Sequence, residues 1–281
     1  MRSKDGTAIA FDRLGDGPPI ILVDGALCYR ASGPMGPLAA LLAPHFTVFT
    51  YDRRGRGDSG DTAPYSVERE VEDIEALLKE GGGSAFVFGI SSGAALALEA
   101  ANRGLAIRQL ALYEAPFIVD DSRPPIPNDF LARLDELISS KRRGDAVRLF
   151  MKLVGVPAIF IPLMRFMPAW SNLTAVAHTI AYDITIVKDN QRGKPLSDTR
   201  WASVTVPTLV VEGGKSPAWM HHGMKALADV LPNAERQTLD GQTHMVKPKA
   251  LAPVLTEFFT QSQKGTSSSG VDLAARRSSS T

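Results

Sequence analysis

The five residues Gly89-Ile90-Ser91-Ser92-Gly93 constrain this chain more than any other stretch. A short apolar run, residues 85–88, precedes them and reads as a buried strand. An Ala/Leu-rich helix is expected directly after them, stopping near Gly104. A Gly-x-Ser-x-Gly box at a tight turn between strand and helix holds its serine at a strained backbone position and lifts the hydroxyl clear of the sheet. The glycines leave room across the turn, where side chains at 89 and 93 would collide with neighbours. The helix N-terminus behind the serine offers free N–H groups and the positive end of the helix dipole. Ser91 is therefore the candidate nucleophile. The same box also occurs by chance in turns; the strand–turn–helix context and the partners described below are what favour catalysis.

A chain of 281 residues is long enough for one large α/β domain with a sizeable core. A formal net charge of +1 gives no reason to expect a nucleic-acid or anionic-membrane partner. Cys28 is the sole cysteine, so no disulfide and no thiolate metal site can be built within the chain. Met1-Arg2-Ser3-Lys4-Asp5-Gly6 lacks an apolar leader, and a cytoplasmic location is expected, although a mature secreted form would read the same way. The most apolar stretch, residues 149–167, is cut by Gly155, Pro157 and Pro162 and carries Lys152 and Arg165. It reads as packed helices and not as a membrane span.

Short apolar runs at 20–23, 47–51, 85–88, 108–113, 208–212 and 236–239 are expected strands, with 7–12 as an edge strand. Helical spacing appears between them, for example in Val67, Val71, Ile74, Leu77 and Leu78 behind the candidate N-cap Ser66, closed by Gly81-Gly82-Gly83. Leu251, Val254, Leu255, Phe258 and Phe259 give a last amphipathic helix. Strands alternating with such helices imply a mostly parallel sheet covered on both faces. Residues 117–200 break the alternation. Phe130, Leu134, Leu137 and Ile138 form one helical face, Ala146, Leu149, Phe150 and Leu153 another, and 170–187 reads as a longer helix. This segment is expected to be a helical lid inserted between core parts 1–116 and 201–261, its Met and Phe residues being candidates to line an apolar pocket. Residues 262–281 are rich in Ser and Gly and are expected to be a disordered tail.

Over nearly its full length the chain resembles the α/β-hydrolase superfamily. The elbow at Ser91, the run Asp52-Arg53-Arg54-Gly55-Arg56-Gly57-Asp58-Ser59 and the loop Asp240-Gly241-Gln242-Thr243-His244 carry the resemblance, by their order and spacing together. It implies His244 as general base, the Ser92 N–H as one oxyanion donor and a second donor near Gly25–Ala26, with Ala26 favoured. His45, His178, His221 and His222 have no motif support and read as structural or exposed; neighbouring residues on a helix point apart, so His221-His222 is no metal pair. Two departures stand out. The strand before the oxyanion loop ends in Asp24-Gly25 where many members have His-Gly; Asp24 is expected to turn back onto backbone N–H groups. The usual acid position after the strand at 208–212 is occupied by Gly213-Gly214-Lys215-Ser216-Pro217, with no acid. Glu212 comes too early, and Asp240 reads as a brace of the histidine loop. Glu114, at the end of the strand after the elbow helix, remains. Haloalkane dehalogenases and zearalenone lactonases resemble this arrangement, and the lactonases also share the Ser-Ser-Gly-Ala run. A salt-bridged lid anchor is the alternative role for Glu114.

The resemblance implies a serine hydrolase for a small carboxylic ester or lactone, working through an acyl-enzyme and needing no metal or organic cofactor. Carbon–carbon bond hydrolysis and cofactor-free perhydrolysis would use the same triad. A ligand-binding scaffold without activity is the alternative from another class.

Overall fold

A computed structural model describes the backbone of residues 1–268 and the side chains of residues 1–261. Its seven-stranded sheet has the order β1-β3-β2-β4-β5-β6-β7. The strands are β1 (Phe11–Leu14), β2 (Pro19–Val23), β3 (Thr47–Tyr51), β4 (Ala85–Ile90), β5 (Ile107–Tyr113), β6 (Thr208–Gly213) and β7 (Ala234–Leu239). Only β1 runs antiparallel, against β3. The sheet and its flanking helices make the α/β-hydrolase fold expected from the sequence.

The central strands are apolar on both sides because both faces are covered. Alternate residues serve opposite layers. Ile21, Val23, Val87, Leu110 and Val210 pack against α2 (Val67–Glu80), α3 (Ser92–Asn102) and α8 (Ala218–Val230). Ile20, Leu22, Phe86, Phe88 and Val211 pack against α1 (Met35–Leu42) and α9 (Pro248–Ser268). The alanines of α3 let that helix lie close under the elbow: Ala94, Ala97 and Ala100 have no exposed surface.

Parallel register brings the C-terminal strand ends together. Val23 lies opposite Gly89, Ile90 opposite Tyr113, and Tyr113 opposite Val211. The ladder extends one residue further: the Ser91 N–H donates to the Tyr113 carbonyl at 2.9 Å and the Glu114 N–H to the Val211 carbonyl at 3.1 Å.

Between β5 and β6 lie α4 (Phe130–Ser139), α5 (Arg143–Leu153), α6 (Trp170–Ala175) and α7 (Ile180–Val187), joined by short 3-10 turns. Phe130, Leu134, Ala146, Val147, Ile180 and Ile184 form a core of their own, which also takes in Leu27.

Several local expectations shift. The edge strand begins at Phe11, because Ala8 instead bridges Arg2 in a short N-terminal turn. Ser66 sits at the N-cap of α2 but makes no capping hydrogen bond. The expected helix over 170–187 is broken at 177–179, where Thr179 turns back to the Val176 carbonyl and receives the Arg56 Nε–H. Residues 157–167 are not packed helices: Ile159, Phe160, Leu163, Phe166 and Met167 are exposed around one 3-10 turn. Helix α9 is described to Ser268, and the expected disordered tail falls, from 269 to 281, outside the described residues. No helix among the described residues is long and apolar enough to cross a membrane.

Candidate active site

Ser91 follows β4 with φ +57° and ψ −127°, a left-handed-side conformation that strains any residue but glycine. The turn closes tightly enough that a Cβ on Gly93 would stand 2.3 Å from the Val23 carbonyl oxygen, and one on Gly89 2.4 Å from that of Gly93. The glycines thus do the job expected of them.

Three of the residues picked from sequence meet at this edge. His244 Nε2 is 3.2 Å from Ser91 Oγ, and its Nδ1 is 2.8 Å from Glu114 Oε2. An imidazole protonated at Nδ1 donates to Glu114 and leaves Nε2 to accept from the Ser91 hydroxyl. Glu114 is fully buried. Its Oε1 accepts the Gly213 N–H at 2.7 Å, so both carboxylate oxygens are engaged. Glu114 itself has φ +46°, a second strained non-glycine residue at the site.

The missing acid after β6 has a structural counterpart. A Cβ on Gly213 would come within 2.7 Å of the Gln242 carbonyl, so glycine lets the histidine loop settle directly on the end of β6. Tyr113 O–H ties the same loop down through the Thr243 carbonyl at 2.7 Å. Glu212 is turned elsewhere: its Oε1 accepts the Thr238 hydroxyl at 2.8 Å and faces His221 Nδ1 at 3.3 Å. Asp240 is exposed and has no bond to His244.

Two N–H groups beside Ser91, those of Ala26 and Ser92, donate to no acceptor among the described residues. Asp24 turns back onto the Gly25 N–H at 2.8 Å. Burial pushes its carboxyl up to about 7, against the pull of the Gly25 N–H and of Arg56 and Arg53.

The arginine-rich turn after β3 supplies a buried frame for these groups. Arg53 binds Glu70 through Nε at 2.6 Å and Nη2 at 2.7 Å, and reaches the Asp24 carbonyl at 3.3 Å. Arg56 donates to the Gly25 carbonyl at 2.6 Å. Both arginines converge on Asp183 of α7, each at 2.7 Å, and Ser92 O–H donates to the same carboxylate at 2.7 Å. Burial alone would raise the Asp183 carboxyl; Arg56, Arg53 and Ser92 hold it below the usual range instead. The sequence reading did not pick Asp183. Its signal was a lone acid in the apolar run Ile180-Ala181-Tyr182-Asp183-Ile184, which needs a buried partner.

Above Ser91 and His244 opens a cavity of about 700 Å³. Its walls are mostly apolar, with Phe130, Phe150 and Ile184 from the inserted helices facing Ile118 and Met220. The Met/Phe-rich stretch 159–167 contributes none of its side chains. The other histidines stand apart: His178 faces Asp61 at 3.4 Å and His222 faces Asp120 at 2.6 Å. No group of three or more potential metal ligands occurs among the described residues.

The constellation can draw the Ser91 proton onto His244 and hold the resulting imidazolium against a buried carboxylate.

A family model described as "Alpha/beta hydrolase family" matches residues 15–254. The solved structure of an alpha/beta hydrolase from Sphaerobacter thermophilus DSM 20745 is 56% identical, with a TM-score of 0.86, over 92% of this chain and 99% of that one. Pimeloyl-[acyl-carrier protein] methyl ester esterase of Xanthomonas campestris pv. campestris (strain B100) is 26% identical over 243 residues, covering 83% of this chain and 90% of that protein. The enol-lactonase from Burkholderia xenovorans LB400 has a similar fold, at 20% identity and a TM-score of 0.66 over 92% of this chain and 98% of that one.

Proposed function

The chain belongs to the alpha/beta hydrolase family, and from that premise we propose that it is a serine hydrolase cleaving a carboxylic ester or lactone through an acyl-enzyme on Ser91. The observation that carries the reading is the unbroken hydrogen-bond chain from Ser91 Oγ through His244 to the buried Glu114. The similarity to a methyl ester esterase supports the ester.

In the proposed cycle His244 Nε2 takes the Ser91 proton as the serine oxygen attacks the carbonyl carbon. The oxyanion forms against the free N–H groups of Ala26 and Ser92; one such donor is worth roughly 10²–10³ in kcat. Glu114 keeps the imidazole in the productive tautomer and stabilises its charged form. The imidazolium then protonates the leaving alcohol. Water, deprotonated by His244, attacks the acyl-enzyme and releases the acid. The cycle calls on no cofactor. Residues 117–200 act as the lid whose helices shape the acyl pocket.

A fluorophosphonate probe tests the reading directly. The wild type should be labelled on Ser91, and Ser91→Ala should take up no label and hydrolyse no p-nitrophenyl ester. A wild-type protein that takes no label is a binding scaffold instead. Labelling with turnover of a β-diketone but of no ester would point to carbon–carbon bond hydrolysis.

A further inference from the structure

The cavity over Ser91 carries a charge imbalance that ester chemistry alone leaves unused. Three cationic side chains line it, Arg123, Arg133 and Lys152. One carboxylate lines it, that of Asp183, and both of its oxygens are taken by Arg53 and Arg56. Arg133 and Lys152 are exposed and free to be solvated. Arg123 is half-buried. Its guanidinium carbon lies 4.2 Å from the centre of the Trp219 ring on α8, and one Nη2–H donates to the Leu153 carbonyl at the end of α5. It pairs with no carboxylate among the described residues, and burial with no acid to offset it lowers its pKa from the ordinary arginine value.

Stacking occupies the flat face of a guanidinium and leaves its N–H edge available. Here Nε and Nη1 have no protein acceptor among the described residues. A cation held between apolar walls loses hydration, and a ligand carboxylate restores the loss through short, charge-assisted bonds that are stronger in a low dielectric. A neutral acyl chain of equal length would leave the guanidinium unmatched.

Resting on the ester-hydrolase reading of Ser91, we propose that Arg123 anchors a carboxylate borne by the substrate at the end remote from the scissile carbonyl. The protein then selects half-esters over neutral esters of the same size. A strut between Trp219 and Leu153 would look similar in the structure but would give no preference for substrate charge, and the test uses that difference.

Two matched pairs cover both sides of the ester. Monomethyl adipate against methyl hexanoate places the charge on the acyl side; 4-acetoxybutanoate against butyl acetate places it on the alcohol side. In at least one pair the carboxylated ester should have a kcat/KM roughly tenfold to a hundredfold higher, carried mainly by KM, as expected for one hydrogen-bonded charge. Arg123→Gln should bring that ratio close to one, and Arg123→Lys should retain part of it. A ratio near one in the wild type for both pairs overturns the anchor. So does a ratio that Arg123→Gln leaves unchanged while both esters slow together, because a strut gives that result. The ester reading is kept separate by titrating the same four esters calorimetrically into Ser91→Ala protein. Tighter binding of a carboxylated ester, lost in the Arg123→Gln double variant, upholds the anchor even if wild-type turnover is absent. Equal binding within both pairs overturns it.

Discussion

Strands β3, β4 and β6 are buried at every position, whereas the segment between β5 and β6 leaves Ile159 at 73% and Phe166 at 72% exposure. In the first region Ser91 follows β4, Glu114 follows the neighbouring β5, and the His244 loop leaves the edge strand β7 and settles on the buried end of β6. The second supplies much of the apolar wall of the cavity. A reacting constellation tolerates little displacement, so it belongs where strands are covered on both faces and the backbone is fully laddered. Walls can vary more freely, and a segment with its own small core and exposed apolar side chains is suited to that. Asp183 crosses the division. It stands on α7, yet its carboxylate joins the two arginines that hold the Asp24 and Gly25 carbonyls.

The sharpest break in this comparison comes from the sheet side. Glu114→Gln keeps the shape and one acceptor for the Gly213 N–H while removing the charge beside His244. A comparable amide swap in a serine protease costs about 10⁴ in kcat, and we expect a loss of at least hundreds-fold with a near-normal melting temperature. Full activity in Glu114→Gln, with Glu212→Gln or Asp240→Asn inactive, would reassign the acid.

Asp183→Ala probes the crossing point. It leaves Arg53 and Arg56 buried without a shared partner, and breaking such a pair costs about 3–5 kcal/mol. Denaturant unfolding should show that loss, with kcat reduced because the Gly25–Ala26 peptide, which bears one proposed oxyanion donor, loses the support of Arg56. A variant as stable as the parent would mean that the inserted helices and the sheet are energetically separate.

Asp24→Asn tests the frame through pH. Burial raises the Asp24 carboxyl to about 7 in the folded state. The folded state therefore holds this proton more tightly than the unfolded chain, so the stability it contributes is fully present below about pH 4 and is lost as pH rises through 7. The melting temperature of the wild type relative to Asp24→Asn should fall between pH 4.5 and 8. A difference that stays level or rises contradicts the buried, protonated Asp24.

The smallest effect is expected at the outer surface of the inserted segment. Phe160→Ser and Phe166→Ser should each change stability by no more than about 0.5 kcal/mol, since neither side chain is buried. A large drop in the melting temperature would show that this surface is covered in solution.

Local pattern was enough for the sheet and for Ser91. The strand at 47–51 was read with its observed bounds, because a both-faces-buried strand must be apolar throughout. Ser91 was legible because strand, turn and helix leave short-range marks in glycines and apolar runs, and His244 through the resemblance of its loop to the family's. Glu114 was reached by elimination, and its partner Gly213 was not foreseen. A glycine's close approach to a loop 29 residues away leaves no local mark.

The remaining features depend on pairs far apart in the chain. Arg53 and Asp183 are 130 residues apart, and whether an arginine lies in water or against a carboxylate is decided by which helix folds over it. The break of the helix at 177–179 belongs to the same class, for the partners that hold the turn, Arg56 on Thr179 and Asp61 facing His178, lie more than 100 residues away in the chain. Residues 157–167 carry as much apolar character as a buried helix, but hydrophobic residues are permitted inside rather than compelled there. Composition and periodicity therefore chose the α/β sheet and the elbow, and the histidine loop was legible through its resemblance to a family motif. Tertiary packing chose the acid's surroundings, the buried arginine frame and the Arg123 guanidinium that meets no carboxylate among the described residues, because the energy of a buried charge is set by its neighbours in space.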